Sequence, residues 1–183
     1  MDELSGHLLL ALPTIGDPRF HRSVIAMCSH DREGALGIDI ASPIAGMRVG
    51  DVFEQFAIAT TRRFDQPVLF GGPVEPQRGF ILHSDDWHGP DALKVAGRWS
   101  LSASLGTLQA IAQGEGPRNW LLALGYAGWG DGQLEGELAA NAWHVGDYDE
   151  DLFYRASPDE KWTATFAAQG IDADRIALTG GSA

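Results

Sequence analysis

The sequence predicts an α+β fold built on a mostly antiparallel or mixed sheet. Short apolar runs bounded by glycine, proline and aspartate crowd the first half of the chain, and stretches with helical periodicity follow in the second. Strands and helices segregated in this way argue against alternating βαβ units. No internal repeat and no low-complexity linker divides the 183 residues, a length that fits one domain, read as 1–183, with a sizeable core.

Leu8 to Leu12 is a short apolar run closed by Pro13, which reads as a first buried strand. Gly16 and Asp17-Pro18 mark the loop that follows. Ser23–Cys28 and Ala35–Ile40 are two more apolar runs, and the polar loop His30–Gly34 between them predicts a hairpin. Asp51–Ala57 reads as a helix with Asp51 as its cap, Glu54 as the capping-box acid, and Phe53 and Phe56 on one face. Val68–Phe70 and Gly79–His83 read as strands flanking the turn Gly71-Gly72-Pro73, and Trp99–Ser102 as a further short strand. Ser104–Gln113 places Leu105, Leu108, Ile111 and Ala112 at helical spacing, with Gly114 as a stop. The run Trp120–Leu124 is a strand that ends in the glycines of Gly125-Tyr126-Ala127-Gly128-Trp129. A helix over Asp131–Ala142 follows, with Leu134, Leu138 and Ala142 in line. Ser157-Pro158-Asp159-Glu160 combines an N-cap, a first-turn proline and a capping-box acid. Trp162 and Phe166 sit at i, i+4 of that helix, and Gly170 closes it.

Composition is that of an ordinary folded chain, 44% apolar and 21% charged. No window reaches the length of a membrane span, and the single cysteine, Cys28, excludes an internal disulfide framework; both point to the cytoplasm. The formal charge is −12, from 13 basic and 25 acidic side chains. Nine acids and one base, Arg155, fall between Asp131 and Glu160. Such a surface repels phosphate backbones, so direct nucleic-acid binding is not expected.

The glycine-rich corner carries a family likeness. Gly125-Tyr126-Ala127-Gly128-Trp129, with Gly132-Gln133-Leu134-Glu135 and Asn141-Ala142-Trp143 after it, resembles the signature of the YqgE/AlgH family of bacterial proteins. Gly6–Pro13 with Asp17–Phe20 and Arg22–Ile25 resembles the family's N-terminal block. Gly71–Val74 with Arg78–His83 resembles its central block, and Gly114–Pro117 the run before the corner. The resemblance implies a bent, branched, partly barrel-like sheet surrounded by helices. It also brings the label of transcriptional regulator, which rests on a genetic link to alginate control. The chain departs from the family pattern over Gly37–Pro43, where an Asn-Arg pair is usual, at Gly106, where Asp is usual, and at Ser182, where His is usual.

Several groups could carry chemistry. Cys28 and His30 lie two residues apart in a strand and are expected on one face, as a nucleophile and base would be. His83-Ser84-Asp85-Asp86-Trp87-His88 concentrates metal-ligand types, but at a spacing that matches no metal motif. Gly71 and Gly72 could form an amide nest for a small anion, with Arg78 as counter-charge. Tyr126 and Trp129 could line a groove for a ligand or partner. There is no P-loop, no Gly-x-Gly-x-x-Gly and no Gly-x-Ser-x-Gly, and no catalytic residue, metal or cofactor is assigned. The expectation is a cytoplasmic binding or regulatory protein acting through a protein partner. The alternative is a small-ligand or anion-binding enzyme that uses the glycine-rich turns.

Overall fold

The structure is a computed structural model and describes residues 4–179; Ser182 lies outside the described residues. Ten strands form one curled half-barrel sheet. They are β1 (Leu8–Ala11), β2 (Val24–Asp31), β3 (Gly34–Asp39), β4 (Pro43–Arg48), β5 (Pro67–Phe70), β6 (Val74–His83), β7 (Leu93–Val95), β8 (Trp99–Ser102), β9 (Trp120–Gly130) and β10 (Trp143–Gly146). The main path runs β10-β1-β2-β3-β9-β6-β8-β7, and β5 joins β4 to β9 beside it. The described pairings are antiparallel except that of β5 with β9, so the sheet is mixed. Among the described residues six α-helices accompany it: α1 (Val49–Gln55), α2 (Leu105–Ala112), α3 (Gln133–Ala139), α4 (Glu150–Arg155), α5 (Pro158–Ala168) and α6 (Ala173–Thr179). Among the described residues no helix is long and apolar enough to cross a membrane.

Alternation along β1 explains how one short strand serves two cores. Leu8 and Leu10 pack with Phe153 of α4, Trp162 and Phe166 of α5, and Ala173 of α6. Leu9 and Ala11 pack on the opposite face with Leu134 of α3. A further cluster joins α1 and α2 to the sheet through Phe53, Leu108, Ile111, Ile81 and Leu122.

The centre of the sheet is β9, whose two edges take β3, β5 and β6. The apolar run does not end at Gly125, as its glycines suggest; the strand continues to Gly130. Gly125 has φ +78, and the bend it makes shifts the side-chain alternation by one residue. Before it, Leu122 and Leu124 face α1 and α2 while Ala123 faces the α4–α6 side. After it, Tyr126 takes the α4–α6 side while Ala127 and Trp129 face α3.

The chain from β5 to β6 crosses this bend. Gly71 N donates to Leu124 O at 2.8 Å, and Asp39 N donates to Gly71 O at 2.8 Å. A Cβ on Gly72 would collide with the Tyr126 backbone. One on Gly125 would collide with Gly72 O and lie 3.1 Å from both Pro76 Cα and Val74 O. Gly71-Gly72-Pro73 is therefore a crossover between two strands that each pair with β9, and not the turn of a hairpin.

Other expectations are corrected locally. Helix α1 starts two residues before Asp51, which sits at its third position and accepts from Arg48 N at 2.9 Å. Phe53 is buried, but Phe56 is the cap residue past the helix end and is 52% exposed, and Ala57 at φ 54 turns the chain after it. The Ser157 hydroxyl makes no cap hydrogen bond at α5. Helix α3 is shorter than its apolar spacing suggests, and Ala142 is buried outside it. Strands β4 and β7 are largely exposed, β4 lacks an apolar alternation and β7 is only three residues long, so no pattern announced them. Helix α4 is short and rests on one cap, Asp149 Oδ1 accepting from Leu152 N at 3.1 Å.

Gly125→Ala is expected to lose more than roughly 1 kcal/mol of stability, because the residue would be strained as well as crowded. Gly128 has ordinary φ, and its Cβ would meet nothing closer than Tyr126 Cε2 at 3.6 Å. Gly128→Ala should stay within about 0.5 kcal/mol of wild type. Urea denaturation of both variants checks the contrast; equal losses would disprove the account of the crossing.

Candidate functional site

The residues singled out in the sequence do not converge on one pocket. Gly71 and Gly72 are buried in the crossing, and the Gly71 amide is already donated to Leu124 O. An amide nest there would lack that donor. Arg78 is exposed, pairs with Glu75 at 3.4 Å and lies 5.1 Å above the Phe80 ring. Phe80 in turn meets Tyr126 edge-on at 5.9 Å, so Arg78, Phe80 and Tyr126 form a row on one flank of the crossing. Trp129 belongs to the other face, where its indole and that of Trp143 both donate to Glu137 Oε2, at 2.9 and 2.7 Å.

The Cys28–His30 pair is likewise separated. The register of β2 against β3 shifts between Met27 and Ser29, and this bulge turns His30 to the α3 face, where Nε2 meets Glu135 Oε1 at 2.7 Å. Cys28 packs on the α4–α6 side, with its thiol pushed up to about 12 by burial. His83 is fully buried with Nδ1 2.9 Å from Ser84 O, and its ring meets Trp87 edge-on. Among the described residues no three His, Cys, Asp or Glu side chains are grouped to hold a metal.

A different place gathers reactive groups. A cleft of about 410 Å³ opens where the α4–α5 junction meets β5 and the start of β9. Arg155 and Tyr154 come from α4, Lys161 from α5, Arg118 and Asn119 from the segment entering β9, and Arg62 from the loop after α1. Leu69 and Leu122 supply apolar wall. The three arginines are exposed, whereas Lys161 is 1% exposed.

Helical spacing puts Lys161 inside. It shares the buried stripe of α5 with Trp162, Thr165 and Phe166, and the sheet lies beneath. Its amine makes no hydrogen bond or ion pair with any described residue, and burial drives its pKa down to about 7. Asp39 opposes that shift from the end of β3. The Asp39 carboxylate is itself fully buried and accepts from Ser23 Oγ at 2.7 Å, Ser42 Oγ at 2.7 Å and Ala41 N at 2.8 Å, while burial raises its pKa. The Tyr154 hydroxyl is buried without a hydrogen bond, and burial, together with the neighbouring Tyr148, pushes its pKa up. It therefore stays protonated and able to donate. Sequence reading passed over Lys161, although a signal existed: one of only two lysines stands directly beside the apolar i, i+4 pair Trp162 and Phe166.

This half-barrel has counterparts among solved structures. The solution structure of the AlgH protein from Pseudomonas aeruginosa matches with a TM-score of 0.78 at 34% identity, covering 98% of this chain and 94% of that one. A crystal structure from Corynebacterium diphtheriae matches with a TM-score of 0.74 at 20% identity, over 100% and 94% of the two chains, and shares the fold. The AlgH-like family profile matches residues 8–174. A UPF0301 protein of Sphingopyxis alaskensis is 55% identical over 98% of this chain and 96% of its own length. A UPF0301 protein of Caulobacter vibrioides is 43% identical over 98% and 94%. The chain belongs to the AlgH-like family, as its glycine-rich corner suggests.

Two outcomes follow from the titrating groups. The folded-state pKa of Lys161 lies below that of an unfolded lysine. Its penalty on stability is therefore full below about pH 7 and shrinks as pH rises towards the ordinary lysine value. Lys161→Met keeps the length, removes the charge and should stabilise by up to a few kcal/mol at pH 6, with less gain at pH 9. Thermal melts across that range check the sign; a destabilised variant at pH 6 would contradict it. Cys28 should resist alkylation in the native protein at pH 8 and react once the chain is unfolded, as a thiol count with and without denaturant will show.

Proposed function

We propose that the protein binds a small anionic ligand, bearing phosphate or carboxylate, in the cleft around Lys161. The observation that carries this reading is charge. Arg62, Arg118, Arg155 and Lys161 line one cleft that, among the described residues, no acidic side chain lines, in a chain with 13 basic and 25 acidic side chains. Guanidinium groups match the oxygens of such ligands in paired hydrogen bonds. Arg155 does pair with Asp151 at 3.3 Å, but both side chains are more than 70% exposed, and such a pair is readily exchanged for a ligand. The cytoplasm remains the expected compartment.

A second reading keeps the protein partner, as a regulator would need. Phe56 and Leu105, 52% and 48% exposed, line an apolar groove with Val52, Leu108 and Leu124. The acidic surface speaks for a protein over duplex DNA as the target.

Thermal denaturation with inorganic phosphate and a panel of phosphate- and carboxylate-bearing metabolites tests the cleft. Ligand that binds only the folded chain stabilises it by about 2.7 kcal/mol at a hundredfold excess over Kd. Arg118→Ala and Arg62→Ala should abolish the shift, and Arg78→Ala should leave it intact. A shift lost in Arg78→Ala alone would move the site to the flank of the glycine crossing.

A further inference from the structure

We propose that Lys161 is an imine-forming lysine, whose amine condenses with the carbonyl of a 2-oxo acid held in the cleft by its carboxylate. This rests on the anion-binding reading of the same cleft and adds a substrate class and a covalent step to it. Three observations carry it. Lys161 is 1% exposed and has no hydrogen bond or ion pair with any described residue, so it does not act as a structural cation. It lines the cleft together with Arg62, Arg118 and Arg155, which can hold a carboxylate beside it. Tyr154, whose buried hydroxyl stays protonated beside Tyr148, lines the same cleft.

A lysine amine attacks carbonyl carbon only when neutral, and burial favours that form. The charged group that acts on Lys161 is Asp39 from the end of β3, and Arg62, Arg118, Arg155 and Tyr154 line the same cleft. Asp39 stabilises the ammonium, and burial outweighs it, leaving the amine near a pKa of about 7. In the step itself the Nζ lone pair forms the C–N bond as the carbonyl π pair moves to oxygen, and one proton passes from nitrogen to that oxygen, giving a neutral carbinolamine. The carbinolamine then loses the hydroxyl as water, with the proton from nitrogen, and leaves C=N. No oxidant or reductant is required.

The chain supplies its own control, because its only other lysine, Lys94, is exposed and pairs with Asp85 at 3.2 Å. The full chain is incubated at pH 7 with pyruvate and cyanoborohydride, and the reduced adduct is mapped by peptide mass spectrometry. Lys161 should be labelled roughly tenfold or more faster than Lys94. Arg118→Ala should slow labelling of Lys161 without changing Lys94, and Lys161→Met should remove the adduct from that peptide. Labelling of Lys94 or the terminal amine equal to or faster than Lys161 overturns the proposal. A parallel melt with pyruvate and no reductant separates the two ideas. Stabilisation that depends on Arg118, without adduct at Lys161, refutes imine formation and leaves the anion site standing. Neither stabilisation nor adduct with pyruvate refutes imine formation, and no stabilisation by phosphate or the metabolite panel either refutes the anion site as well.

Discussion

The structure depends on one close approach of backbone to backbone. Where the chain leaves β5 it passes over β9 at Gly125, so tightly that neither Gly72 nor Gly125 has room for a Cβ. That contact lets β9 carry β5 and β3 in succession on one edge and β6 on the other. The same bend resets the alternation of β9, so the strand contributes to the α1–α2 core before it and to the α3 core after it. Three separate clusters are thus tied together by a strand of eleven residues. The crossing also places Asp39, whose amide bonds to Gly71, at the buried end of β3.

The cleft inherits its chemistry from that placement. Asp39 is held by two serine hydroxyls and an amide, so its carboxylate is well satisfied without Lys161. The lysine is influenced by it but not paired to it. An amine kept in the interior without a bonded partner lowers stability, and sites that do so are where function and folding pull in opposite directions. The arginines around it are exposed and project from three different segments. A ligand would therefore draw together the loop after α1, the entry to β9 and the end of α4.

Much of the fold was legible in the sequence. The apolar runs of β1, β2, β3 and β9 and the helices α2 and α5 are written in their apolar patterns, because burial on one side dictates them, and α2 also in its Ser104 cap. The corner glycines were legible as a constraint, though only Gly125 proved to have a disfavoured φ. What pattern could not show was how far β9 runs, since a positive-φ residue reads as a terminus whether the strand stops or only bends. The bulge at Cys28 is invisible for a similar reason: one extra residue leaves composition unchanged yet sends His30 to the opposite face. The candidate site was the least legible part. Its cations come from positions 62, 118, 155 and 161, which no local spacing relates, and the family motifs drew attention to the glycines that build the sheet.

The position of β9 in the chain has a consequence for synthesis. The hairpin of β2 with β3 and the pairing of β4 with β5 can form as soon as those residues emerge, because their partners are adjacent in sequence. The free edges of β3, β5 and β6 all wait for residues 120–130, and β1 waits for β10 beyond them. For most of translation the nascent chain therefore carries unpaired strand edges and a half-made apolar face, the surfaces on which chains associate with one another. Pairing of those edges has to wait until the central strand has been made. The protein should accordingly rely on holdase-type chaperones during its synthesis more than its modest length suggests.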